Sequence, residues 1–372
     1  MVPADEAVGL HIGALDTPAL LLDLEVMERN LKRMADFLAG KKISHRPHVK
    51  LYRATPEIAR KQIEAGAIGL TCAKLSEAEV LVSSGFADIL IANQIVSPVK
   101  IRRLVGLAER SNIKVAVDSP ENVAALSHAA TTHGVTIGAL VEVNIGHNRC
   151  GVTPFEPTLA LANTVLKSSG LEFKGLMGYD GHCTLKVTET ERRDLSLKAH
   201  TLLADARRYI ENAGIAVEIV SSSGTFTYRF AAEVEGITEV QAGTYLLMDT
   251  AFRDHGVREF ECALSVLTTV TSHPSYPGAN GLIIIDTGQK SISRLLGNPE
   301  VRKPSHAAVL SLSDEHGRII LDHEAESLGV GDKVELWVRD ANGTINQFDR
   351  FYAIRHEVVE AVWQIPLCGS HT

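Results

Sequence analysis

The sequence is poor in the features that announce a function through composition alone. Aromatic residues make up only 5% of the chain, too few for a surface on which successive nucleic-acid bases stack. Lysine and arginine (37) are outnumbered by aspartate and glutamate (45), giving a formal net charge of −8, so there is no electrostatic footprint for nucleic acid. No apolar run approaches the ~20 residues that a membrane helix needs. The stretch from Met1 to Gly13 carries Asp5 and Glu6 and lacks a basic region followed by an apolar block, so no secretory signal is expected. Cysteine is scarce and scattered: Cys72, Cys150, Cys183, Cys262 and Cys368 are odd in number and form no CxxC pair. Neither a disulfide framework nor a thiolate zinc site is signalled. These absences predict a cytoplasmic protein, with no membrane or nucleic-acid partner, that acts on a small molecule.

What is present is a well-supplied core. Hydrophobic residues reach 45% and charged residues 22% over 372 positions, the composition of a folded globule with room for two domains or for one enlarged α/β barrel. Fifteen histidines are the one compositional hint of chemistry.

Between residues 40 and 250 short β-rich runs alternate with longer helical patterns. Strands are expected at Arg46–Lys50, Ile68–Cys72, Asp88–Ala92, Lys114–Asp118, Ala139–Asn144, Phe173–Tyr179, Val217–Ser222 and Thr238–Gly243. Amphipathic segments such as Pro56–Ala65, Pro98–Glu109, Pro120–His133 and Thr190–Ala213 lie between them, several opening on the Ser, Thr, Asp or Pro that helix starts prefer. Eight strands with crossover helices predict a (β/α)8 barrel over 25–250, ahead of an open doubly wound sheet. The seventh crossover, Thr225–Gly236, is short and irregular. Beyond residue 250 the pattern changes to strands separated by turns, at Ala263–Ser272, Gly281–Asp286, Ala307–Leu312, Lys333–Val338 and Phe351–Ile354. Residues 1–24 and 251–372 are therefore expected to form a second, mainly antiparallel β domain.

Barrel enzymes carry their chemistry at the C-terminal strand ends. The first strand ends in His48-Val49-Lys50, which places a lysine at the mouth; crowding there lowers an amine's pKa and suits it to Schiff-base formation. A solvated surface lysine is the plainer alternative. The fifth strand runs into Asn144-Ile145-Gly146-His147-Asn148-Arg149-Cys150-Gly151, and the sixth into Tyr179-Asp180-Gly181-His182. Strands seven and eight end in Ser222-Ser223-Gly224-Thr225 and Gly243-Thr244-Tyr245. Small hydroxyl residues beside glycine, after the last two strands, form the usual phosphate-binding position of a barrel.

A lysine after strand one, a phosphate site after strands seven and eight, and an appended β domain together resemble the fold type III pyridoxal-phosphate enzymes. Within them the likeness is to the D-threonine aldolase and D-serine dehydratase group. It is carried in order by Thr17-Pro18-Ala19-Leu20-Leu21-Leu22-Asp23, Arg46-Pro47-His48-Val49-Lys50, Ser76-Glu77-Ala78-Glu79, Arg149-Cys150-Gly151-Val152, Ser222-Ser223-Gly224-Thr225, Gly243-Thr244-Tyr245 with Met248-Asp249, and Ser313-Asp314-Glu315-His316-Gly317. The resemblance implies that Lys50 forms the Schiff base with pyridoxal phosphate and later transfers protons. It implies Arg149 at the pyridine nitrogen and Tyr179 along the cofactor ring. Ser223, Gly224, Thr225, Gly243 and Thr244 would hold the phosphate, with Tyr245 close by. It also implies a homodimer.

One departure concerns a metal. The family's Pro-Asn-His-x-Cys/Asp-Pro-Thr segment supplies a histidine and a cysteine or aspartate to a divalent ion. Here the aligned residues run Val338-Arg339-Asp340-Ala341-Asn342-Gly343-Thr344. Oxygen ligands from Asp340 and Asn342 would suit Mg²⁺ or Mn²⁺; the same residues are also good turn chemistry. Next to the lysine, Leu51-Tyr52-Arg53 replaces a family Thr-His-Lys context. Of the other histidines, His182 is placed to act on a substrate hydroxyl, His48 reads as a packing residue and His147 as an exposed loop residue.

The resemblance implies a lyase for D-3-hydroxy amino acids. Retro-aldol cleavage to glycine and an aldehyde stands first, dehydration second, and racemisation or epimerisation third. A non-catalytic pyridoxal-phosphate protein and a phosphate-binding barrel without that cofactor remain the alternatives outside enzymology of this kind.

Overall fold

The computed structural model describes residues 4–184, 188–325 and 327–370. The chain forms two compact units. One holds Met34–Lys50 and Pro56–Thr244; the other runs up to Arg33, takes in Leu51–Thr55 and resumes at Tyr245–Ser370. No helix among the described residues is long and apolar enough to cross a membrane.

The first unit is the eight-stranded barrel. Its strands are Ser44–His45, Leu70–Cys72, Asp88–Ile91, Asn112–Val117, Ile137–Glu142, Leu171–Gly178, Ile219–Ser222 and Glu239–Val240. All neighbouring pairs are parallel, and the first strand lies beside the eighth. Between the first and second strands the ladder narrows to a bridge at His48 and Thr71. Val49 N donates to Thr71 O at 2.8 Å and Thr71 N to Pro47 O at 2.9 Å, which closes the barrel. The fifth strand, Ile-Gly-Ala-Leu-Val-Glu, is buried throughout, as a strand covered on both faces must be.

The barrel interior carries a charged layer as well as an apolar one. Leu90, Ala116, Leu140, Met177 and Ile219 form one core cluster. Inside the ring, buried Arg46 donates to Glu239 at 2.9 Å and also pairs with Asp88, to which Lys114 donates at 3.1 Å. Gly69 is required beside this layer, because a Cβ there would lie 2.7 Å from the Asp88 carbonyl oxygen.

Helices Pro98–Ala108, Pro120–His133 and Glu189–Asn212 begin as their sequences predict. Ser119 caps the second of these by accepting from Asn122 N, and Gly134 ends it in the left-handed conformation at φ 68°. Thr188 and Glu191 form a capping box at the third. The seventh crossover contains only Tyr228–Ala231 as helix.

The second unit is a mainly antiparallel sheet assembly. Ala19–Asp23 lies between Leu264–Ser272, antiparallel to it, and Arg350–Arg355, parallel to it. Three strands escape sequence reading: Glu300–Lys303, Gly317–Leu321 and Val358–Gln364. The first is short and half exposed, so it lacks the apolar alternation by which strands are recognised.

Candidate active site

The lysine-bearing segment leaves its strand earlier than its β-rich sequence predicts. Regular pairing stops at His45, and Pro47, without an N–H, cannot continue it. Lys50 therefore sits in a turn, where its backbone N–H donates to His48 Nδ1 at 3.3 Å. His48 and Lys50 do not project as strand neighbours; His48 braces the turn. The Lys50 side chain opens to the mouth but is crowded by protein. Desolvation, followed by the Arg149 charge, pulls its amine below the ordinary lysine value, with Glu77 opposing. Desolvation, Lys50 and Arg149 also push His48 well below the ordinary histidine value, so it stays neutral and can accept that hydrogen bond.

Tyr179, at the end of the sixth strand, is the hub of the mouth. Lys50 Nζ lies 5.9 Å and Arg149 Cζ 5.3 Å from its ring centroid. The His147 ring meets it edge-on at 5.4 Å, and His182 stacks on His147 at 6.4 Å. Burial raises the phenol to about 12, so it remains protonated. Two glycines permit this gathering. A Cβ at Gly181 would lie 2.6 Å from the Tyr179 ring and 2.7 Å from His147; one at Gly146 would lie 3.0 Å from the His182 imidazole.

His147 is thus a half-buried member of the site, not an exposed loop residue. Sequence spacing offered one signal for it: it lies two residues before Arg149 in a loop with glycine at both ends. That loop is rigidly built. Asn144 Oδ1 accepts from Gly146 N and Asn148 N, both at 3.1 Å, and Gly151 N donates to Asp118 at 3.1 Å. Asp118, Glu142 and Cys150 converge beneath it, with Gln94 donating to Glu142 at 2.5 Å.

The loops after strands seven and eight form a cradle. Ser223 adopts φ 68°, and its hydroxyl oxygen is buried without a hydrogen-bond partner among the described residues. Leaving such a group unpaired costs ~1–3 kcal/mol, so this cavity fits an anion that accepts from it. Gly224 N donates to Thr227 Oγ1 at 3.3 Å. At the eighth strand end, Gly243 approaches so closely that a Cβ would lie 2.2 Å from His48 O. Thr225 is buried and Thr244 half-buried beside these glycines. The residues fit a phosphate-bearing cofactor.

A buried network ties this cradle to Tyr179. Asp180 is fully buried and accepts from Ser196 Oγ and Thr227 Oγ1, each at 3.1 Å. His200 Nε2 lies 3.8 Å away, while its Nδ1 donates to Ser196 O at 2.8 Å. Gln241, also missed by sequence reading, fills the end of strand eight and donates to Ser221 Oγ at 2.8 Å. Its only sequence signal was a polar residue two positions before Gly243 at the end of strand eight.

The remaining candidates lie in the other unit. Tyr245 is buried and packs against Phe260, centroids 5.2 Å apart. Tyr52 is fully buried as well. Asp340 is the N-cap of the short helix Ala341–Ile345, accepting from Gly343 N at 3.2 Å and from Ser293 Oγ at 2.6 Å. Asn342 is exposed. This pair does not fit the expected metal site, because Asp340 is buried in the helix cap with a donor on each oxygen while Asn342 lies exposed.

A family model described as alanine racemase, N-terminal domain, matches residues 22–251, and a putative serine dehydratase domain matches 263–354. D-threonine aldolase of Arthrobacter sp is 34% identical over 374 residues, 99% of this chain and 97% of that one. The 3-hydroxy-D-aspartate aldolase of Paracoccus denitrificans is 32% identical over 371 residues, covering 97% and 94%. The crystal structure of D-threonine aldolase from Filomicrobium marinum superposes with a TM-score of 0.92 at 34% identity, covering 97% of this chain and 98% of that one.

Proposed function

From the premise that the chain belongs to the alanine racemase-like, fold type III family of pyridoxal-phosphate enzymes, we propose that it is a lyase that splits D-3-hydroxy amino acids into glycine and an aldehyde. Its relatives named for D-threonine and 3-hydroxy-D-aspartate cleavage support this substrate class. The observation that carries the assignment is the lysine amine of depressed basicity placed, with Arg149, over the Tyr179 ring.

Pyridoxal phosphate, when bound, supplies an electron sink that stabilises negative charge at the substrate's Cα. Lys50 provides the amine that holds it, and its lowered pKa keeps more of that amine in the nucleophilic form. Ser223, Gly224, Thr225, Gly243 and Thr244 would hold the phosphate. Tyr179 offers a flat, protonated phenol as a wall of the mouth, and Arg149 would face the ring nitrogen. His182 is proposed to take the proton of the substrate's β-hydroxyl. Its Nδ1 is buried without a partner among the described residues, and its ring lies roughly parallel to that of His147, centroids 6.4 Å apart. A cytoplasmic homodimer belongs to the same proposal; five free cysteines are compatible with that location.

The test is direct. The protein should be yellow, should bleach with borohydride, and should be colourless as Lys50→Ala. Colour that persists in Lys50→Ala defeats the lysine assignment. Incubation with D-threonine should release acetaldehyde and glycine; a keto acid and ammonia instead would make the enzyme a dehydratase.

A further inference from the structure

The position where this chain lacks its family's metal-binding histidine is one where the carboxylate that replaces it has a donor on each oxygen. We infer that Asp340 is a helix-capping residue and not a metal ligand, and that this chain works with no divalent ion at that position. The inference rests on the lyase reading for its functional half, and on the geometry around Asp340 alone for its structural half.

Three features converge. Asp340 is buried, with 3% of its surface exposed, while Asn342, the other aligned position, faces solvent. Each Asp340 oxygen has a donor: Oδ1 the N–H of Gly343 at 3.2 Å, and Oδ2 the hydroxyl of Ser293 at 2.6 Å. The surrounding sequence is fitted to this cap. A Cβ at Gly343 would lie 2.4 Å from both Asp340 Oδ2 and Ser293 Oγ, so any side chain there would displace the carboxylate from its partners. The next N–H in the turn, that of Ala341, is taken by Asp249 Oδ2 at 3.0 Å, so two aspartates share the N-terminal donors of one short helix. Ser293 adds a reciprocal tie, since its own N–H donates to Thr344 Oγ1 at 3.1 Å.

A metal ion would have to take the remaining lone pairs of a buried carboxylate that its two donors already hold in the cap. Two neutral or singly charged oxygen ligands, one of them in solvent, are also a weak set compared with the several oxygens that Mg²⁺ or Mn²⁺ prefers. Among the described residues the one convergence of three carboxylate or thiol ligands is Asp118, Glu142 and Cys150 in the barrel, which does not include Asp340.

The two roles respond oppositely to Asp340→Asn. Asparagine caps a helix as well as aspartate does but lacks the charge that binds a cation. The holoenzyme, Asp340→Asn, Asp340→Ala and Ser293→Ala would be treated with EDTA, incubated with excess Mn²⁺ or Zn²⁺, desalted and measured for bound metal, melting temperature and retro-aldol rate. If Asp340 is a cap, Asp340→Asn keeps the melting temperature and the metal content of the parent. Asp340→Ala and Ser293→Ala then melt lower by about 2–4 °C, equally in EDTA and in Mn²⁺, and chelation leaves the parent's rate unchanged. One equivalent of metal that is present in the parent and lost in Asp340→Asn overturns the inference, as does a rate abolished by EDTA and restored by Mn²⁺ only when Asp340 is intact. Should no D-3-hydroxy amino acid be cleaved, the lyase reading fails, and metal content and melting still decide the cap.

Discussion

Thr227 donates its hydroxyl proton to Asp180 across 3.1 Å, and so joins the loop that carries Tyr179 to the loop that carries Ser223 and Gly224. The same hydroxyl oxygen accepts from Gly224 N, which makes Thr227 the hinge pin of the phosphate cradle. Asp180 is fully buried, so losing a donor leaves it under-satisfied at a cost of ~1–3 kcal/mol. Thr227→Val, nearly isosteric, is expected to lower stability by that amount and to raise the dissociation constant for pyridoxal phosphate about tenfold. Thr227→Ser should retain both. Cofactor titration by fluorescence quenching checks this; unchanged affinity in Thr227→Val would show that the link serves folding alone.

Ser223 makes the converse case. Its buried hydroxyl has no partner among the described residues, so Ser223→Ala removes an unpaired polar atom. The cofactor-free variant is expected to be as stable as the parent or more stable by up to about 1 kcal/mol. With cofactor present the order should reverse, because the parent gains a hydrogen bond to phosphate that the variant cannot make. Melting curves with and without pyridoxal phosphate test the crossing. A variant destabilised in both states would place the hydroxyl in the fold and not in the cradle.

Arg149 contributes to the lowered basicity of Lys50, in addition to its proposed place at the ring nitrogen of the cofactor. Its charge is the second cause of the lowered lysine pKa, after desolvation. In Arg149→Met the ammonium form is no longer repelled, so the Lys50 pKa rises. The rate at which cofactor-free protein takes up pyridoxal phosphate should then fall at neutral pH, and the inflection of its pH profile should move to higher pH. An unmoved inflection would mean that burial alone tunes the amine.

Much of this could be read from the residues. The barrel was legible because its five strands from Asp88–Ile91 to Ile219–Ser222 are apolar-rich runs of four to eight residues between helices whose caps are written in Ser119, Thr188 and Gly134. Lys50 and the Ser-Gly loops were legible because barrel topology fixes where strand ends go. What escaped depends on contacts distant in sequence. Asp180, Ser196, His200 and Thr227 form one network spanning 47 positions between its most distant bonded pair, and no local pattern marks them. His147 looked like a loop residue because the ring it packs on, Tyr179, comes 32 residues later, by subtraction of the two positions. Asp340 illustrates the reverse. Its neighbours Ala341-Asn342-Gly343 were equally good as a turn or as altered ligands, and the contact that supports the cap comes from Ser293, far away in sequence.

His45 offers a prediction for the whole barrel. It is buried in the first strand, where Nε2 lies 2.9 Å from Ala242 O, and since a carbonyl only accepts, that nitrogen carries the proton. Desolvation lowers its pKa to about 4, against the opposing pull of that carbonyl. Because the folded value lies below the unfolded one, the unfolded chain binds a proton between pH 6.5 and about 4 that the folded chain refuses. Stability must fall as pH decreases through that window, by about 3 kcal/mol in all, and must be unaffected by this group above it. His45→Gln can still donate to Ala242 O without titrating. Its stability, followed by urea unfolding from pH 7.5 to 4, should decline less steeply than the parent's, with the difference developing below pH 6.5. Parallel curves would mean that His45 accepts its proton in the folded state, and that the first strand opens at its mouth end to let it do so.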